Sequence, residues 1–82
     1  MEDNYLLTFE LTKNRDELEI HTNSKGLKRL IAELEILLQS AEKGVNDHNH
    51  LMTEEWAGNE LSSIAQGGEL LNHVKVYYWS DK

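Results

Sequence analysis

Between residues 27 and 41 the apolar side chains recur as Leu27, Leu30, Ile31, Leu34, Leu37, Leu38 and Ala41. Their spacing draws a stripe along one side of an α-helix, and it constrains the fold more than any other feature of the chain. A helix with one apolar side must lay it on another apolar surface. Asn23 or Ser24 is placed to accept the first free amides, Gly44 to end the helix in a left-handed turn, and Lys43 suits the negative end of the dipole. Gly26 would cost about 1 kcal/mol against alanine in a helix interior, and less here in the first turn. The expectation is a helix over about 25–43 whose whole stripe is core. Leu34→Asp should then unfold the domain by burying an unpaired charge.

On either side of the helix the period is two. Tyr5, Leu7, Phe9 and Leu11 alternate with Leu6, Thr8 and Glu10, and after the polar segment 12–16 Leu18, Ile20 and Thr22 alternate with Glu17, Glu19 and His21. Two such runs predict an antiparallel hairpin with Leu18 and Ile20 on the buried face and Glu10, Glu17 and Glu19 on the other. Residues 48–53 read as a third, short strand, with Asn49, Leu51 and Thr53 facing one way and His48, His50 and Met52 the other. Residues 56–68 hold too many glycines, serines and asparagines for a long element and read as a loop with a helical turn near 60–65. From Leu70 to Trp79 the alternation returns. The fold class expected is α+β, ββαββ: one domain over residues 1–82, a mainly antiparallel four-stranded sheet with one amphipathic helix packed on one face.

One helix cannot cover both faces of such a sheet. The second face would carry Glu10, Glu17, Glu19, His21, His50, His73, Lys75, Tyr77 and Trp79, with Tyr77 and Trp79 making an apolar patch. An interface is expected there, with a homodimer as its simplest form. A chain of 82 residues buries only about 60–65% of its unfolded surface, so association would add usefully to its stability. It holds no cysteine, which excludes disulfides and thiolate metal sites and fits a reducing cytoplasm. The acidic start and the lack of a long apolar run predict neither a signal peptide nor a membrane span. Fifteen acids against eight bases leave a net charge of −7, which repels nucleic acid and attracts a basic protein.

The chemistry-bearing side chains concentrate between His48 and Ser62. His48 and His50, alternate on a strand, could grip a metal with His73 or His21 and Glu54 or Glu55, but the spacing is common by chance and no metal or other cofactor is expected. Glu54, Glu55 and Glu60 with a histidine could serve acid–base chemistry, yet adjacent acids point apart, and no nucleophile elbow or phosphate loop accompanies them. A metal-binding domain or enzyme using His48 and His50, and a plain dimerisation module, remain the alternatives. The favoured reading is an acidic rim open to a cationic partner, with Trp56 as a lid over the edge of the core.

The run His48-Asn-His50-Leu-Met-Thr-Glu-Glu-Trp56-Ala-Gly58-Asn-Glu-Leu61-Ser62, followed by His73-Val-Lys-Val-Tyr-Tyr-Trp79, resembles a family of small bacterial immunity proteins that accompany polymorphic toxins. The likeness covers the C-terminal half well and the hairpin by pattern. It implies a cytoplasmic, non-enzymatic antitoxin that binds and blocks a cognate toxin domain, nucleases with basic clefts included. Glu54, Glu55 and Glu60 would then supply charge, Trp56 an apolar anchor, and His48 and His50 the orientation of the loop; the face of Tyr77 and Trp79, expected to pair two copies, becomes the leading toxin contact if the protein is a monomer. No nucleic acid or membrane enters this reading.

Overall fold

The computed structural model describes residues 4–80; Met1, Glu2 and Asp3 of the acidic start lie outside them. Among the described residues the order is β1 (Leu7–Leu11), β2 (Leu18–Thr22), α1 (Ser24–Glu42), β3 (Asp47–Met52), a 3-10 turn (Glu54–Trp56), β4 (Glu69–Leu70) and β5 (His73–Tyr78). β1 and β2 form the expected hairpin, with Phe9 opposite Ile20 and Leu11 opposite Leu18. The single C-terminal strand expected from Leu70 to Trp79 is broken at Leu71–Asn72. Its first part, β4, joins the outer edge of β1, and its second, β5, pairs along β3. The sheet is therefore split into three strands, β2–β1–β4, and two, β3–β5. Residues 61–62 stitch them together: Leu61 N donates to Met52 O at 3.2 Å and Ser62 N to Leu7 O at 2.8 Å. The α+β class, the antiparallel pairing and the helix on one face hold; the division of the sheet was not foreseen, nor was the helical turn at 54–56 rather than 60–65.

The caps of α1 follow the sequence. Asn23 Oδ1 accepts from Gly26 N at 3.0 Å and Leu6 N at 3.1 Å, and Gly44 takes a φ of 72° beyond the last turn. Gly26 does more than sit harmlessly in the first turn. A Cβ there would lie 1.8 Å from Leu6 O, so only glycine lets the helix meet β1 this closely.

The core is smaller than the stripe predicts. Leu7, Phe9, Leu51 and Leu61 form it, with Leu30, Leu71, Val74 and Val76 packed around them. Within α1, Gly26 and Leu37 are buried, whereas Leu27, Ile31, Leu34 and Leu38 stay about half exposed. Leu18 and Ile20 share the side of Leu7 and Phe9 as expected, yet are also about half exposed. The stripe is wide enough for two contacts and the sheet uses one of them.

Glu10 reverses its expected side of the boundary between core and water. It does project from the face opposite Phe9, but the segment 63–68 folds over that face and buries it completely. Thr8 Oγ1 donates to its Oε2 at 2.6 Å and Gln66 N at 2.9 Å; Gly67 N and Gly68 N donate to Oε1 at 3.2 and 2.8 Å. Successive amides turned inward make a nest for an anion. Burial alone would raise its pKa. The hydrogen bonds from Thr8, Gln66 and Gly68, with the nearby His21, outweigh that and lower it to about 2.

Candidate partner-binding face

The face of β3 and β5 turned away from α1 is built by period-two alternation. Asn49 and Leu51 point toward the helix, and Asn49 Nδ2 donates to Glu33 O at 2.6 Å. His48, His50 and Met52 therefore project on the far side. The register sets Tyr77 opposite His48, Lys75 opposite His50 and His73 opposite Met52, so these side chains meet in cross-strand pairs.

The result is a continuous row of rings. Trp56, delivered by the 3-10 turn, tilts over His73 with centroids 5.8 Å apart. His73 stacks on His50 at 5.0 Å, and His50 meets His48 edge-on at 4.8 Å. His48 stacks on Tyr77 at 5.0 Å, and Tyr77 on Trp79 at 5.7 Å and 4° from parallel. The Lys75 ammonium stands 5.9 Å from the Tyr77 centroid, within the range of a cation–π contact. Trp56, Tyr77 and Trp79 are 53%, 48% and 68% exposed. Such a row offers apolar faces with polar edges, the composition that anchors protein interfaces.

The imidazoles are joined through their nitrogens. His48 Nε2 lies 3.1 Å from His50 Nε2, and His50 Nδ1 lies 2.8 Å from His73 Nε2. A neutral His50 must accept through one nitrogen and donate through the other. The chain can take up one proton with both bonds intact, on any of the three rings. A second proton leaves two donors facing each other and breaks a bond. The His50 pKa is lowered, first by loss of hydration and then by the charges of His48, His73 and Lys75.

Five of the residues singled out from the sequence, His48, His50, Trp56, Tyr77 and Trp79, fall in this row. His73, expected on this face by its alternation with Lys75, Tyr77 and Trp79 and weighed as a metal ligand, is the link between Trp56 and His50, because the register sets it opposite Met52. Trp56 is not a lid on the core: the turn carries it outward, and its ring rests on His73. Glu54 and Glu55 stay exposed beside it, and an open groove of about 740 Å³ lined by Tyr5, Leu6, Glu54 and Ile64, among others, runs alongside. Glu60 does not join them. Its Oε1 accepts from Met52 N at 3.0 Å, and its Oε2 lies 3.6 Å from Arg29 Nη2. Arg29 also holds Glu33 at 2.8 Å, so Glu60 ties the loop to α1. His48 and His50 stack within the row rather than against the loop, and His21 pairs with Glu19 on β2 at 3.1 Å. Among the described residues no group of three or more His, Asp or Glu is disposed to hold a metal ion, and none of the helices is long and apolar enough to cross a membrane.

A family profile, Immunity protein 32, matches residues 17–74. That span begins at the hairpin's second strand and carries through α1, β3, the tryptophan turn and the start of β5. No curated protein and no solved structure matches the chain. With most of its length covered by that profile, the chain belongs to the Immunity protein 32 family and is an immunity protein.

Proposed function

We propose that this protein neutralises a cognate bacterial toxin by binding it through the ring-bearing face of β3 and β5, without catalysing a reaction of its own. The observation that supports this most is the exposed row from Trp56 to Trp79. Large rings already stacked on one another lose little rotamer freedom on binding, which concentrates affinity in few residues. Glu54 and Glu55 flank the Trp56 end. With a net charge of −7 they favour a basic target, such as the substrate cleft of a nuclease, where carboxylates take the place of phosphates. The toxin would be met in the cytoplasm of the producing cell.

The test is co-expression with the toxin domain encoded beside this gene. Wild-type protein should restore growth and form a complex, whereas Trp79→Ser and His48→Ala, with unchanged circular dichroism, should weaken the complex at least tenfold. Failure to rescue, together with no complex at micromolar concentration, would remove this reading. Undiminished binding by the row variants would move the interface elsewhere.

A further inference from the structure

The half of the α1 stripe that the sheet leaves open forms a seam of its own. Leu27, Ile31, Leu34 and Leu38 lie roughly 100° around the helix from the docked line of Gly26, Leu30 and Leu37. They occupy the flank opposite Arg29, which reaches the loop at Glu60. Leu18 and Ile20 extend the apolar surface on the same side of the sheet. Six half-exposed aliphatic side chains amount to roughly 500 Å² of apolar surface, near the largest patch usual on a monomer and more than half of what one partner buries in a standard interface.

We propose that this seam is a homodimer interface in which α1 packs antiparallel against α1 of a second copy. Steps of four, three and four residues are the spacing of a coiled-coil seam, which wants a second helix as its complement. The order of steps reads the same backwards. A two-fold axis between Ile31 and Leu34 therefore sets Leu27 against the partner's Leu38 and Ile31 against the partner's Leu34, so the seam closes on itself. The solvent-side flank carries Lys28 and Glu35, both exposed. Antiparallel packing brings Lys28 beside the partner's Glu35, twice over by symmetry, whereas parallel packing would set both against the opposite flank of the partner helix, where Leu30 and Leu37 lie, and leave them unpaired. The surface lies on the opposite side of the sheet from the ring row, so it stands apart from the toxin-binding reading.

Sedimentation equilibrium from 1 to 100 μM in 0.15 M salt tests it. Wild-type protein should sediment as a dimer within that range. Leu34→Glu should shift it to monomer, loosening the dimer ~100-fold or more by seating two carboxylates in the seam, while circular dichroism stays unchanged. Lys28→Glu should weaken the dimer ~5-fold or more, and adding Glu35→Lys should recover it; this exposed pair decides the matter even if Leu34→Glu unfolds. A single-subunit mass at 100 μM overturns the proposal, as does a dimer indifferent to Leu34→Glu or a double swap that fails to recover. Toxin rescue reads the other face: Leu34→Glu should keep it, and its loss in a monomeric protein would hand the seam to the toxin instead.

Discussion

Glu10 is the residue whose environment departs furthest from its chemistry. A fully buried carboxylate survives there because Thr8 and the amides of residues 66–68 replace its water. Its folded pKa, about 2 against 4.5, lies below the unfolded value. The stability it contributes is present above pH 4.5 and is lost as pH falls from there toward 2, a change on the order of 3 kcal/mol. Glu10→Gln keeps the shape but turns an NH2 group toward donor amides. Urea denaturation at pH 7 should find it roughly 2–3 kcal/mol less stable, with the gap narrowing by pH 3. An unchanged midpoint at pH 7 would contradict the nest. Gly68 belongs to the same arrangement: a Cβ there would lie 2.7 Å from Leu11 O and 3.1 Å from Glu10 Cβ, so the segment can approach β1 only with glycine at that position.

Among the elements, α1 depends on its first turn. Gly26→Ala would raise intrinsic helix propensity by about 1 kcal/mol, yet the methyl meets Leu6 O far inside contact distance. Backbone cannot yield as a flexible side chain does, so the clash should win. Thermal melts should show a loss of ~2 kcal/mol or more, where an isolated helix would gain. The β3–β5 ladder makes a different prediction through its imidazole chain. The folded His50 pKa is lowered, so the unfolded chain binds that proton first as pH drops. Stability from this group is intact above about pH 6.5 and declines below it. That window opens before the Glu10 window. His50→Gln should flatten the decline between pH 6.5 and 5, and NMR titration should place His50 below the usual imidazole value of about 6.5. A His50 titrating above 6.5 would contradict this window.

At the scale of the whole molecule, two surfaces on opposite sides of the sheet should answer differently to salt. Toxin association steered by the −7 charge should slow steeply as salt rises, because exposed charges are screened beyond about 8 Å at 0.15 M. Lysine at Glu54 and Glu55 should slow association, whereas Trp56→Ala, at an exposed ring that packs on His73, should mainly speed dissociation. Stopped-flow measurement separates the two rates. Salt-independent association would remove the steering while leaving the ring row as anchor. Leu34→Asp, which a fully buried stripe would make lethal to the fold, should leave the monomer folded, because that position is 42% exposed.

Local periodicity was enough to determine the hairpin, the helix with its asparagine cap and glycine stop, and the α+β class, since each depends on neighbours within a few residues. Alternation along β3 likewise put His48 and His50 on one face before any partner strand was assigned. Register and coverage could not be read this way. The break at Leu71–Asn72 lets one alternating run serve two sheet edges, and the resulting pairing makes a row of His48, Tyr77 and His73. Glu10 and Glu60 looked like surface acids because the groups that satisfy them come from segments remote in sequence, the amides of residues 66–68 and the guanidinium of Arg29. The helix stripe told how much apolar surface α1 offers, but only the docking angle set by Gly26 against Leu6 decided which half the sheet would take. Sequence spacing records what a side chain could face; tertiary contact decides what it does face, because burial is settled by whichever distant segment arrives to exclude the water.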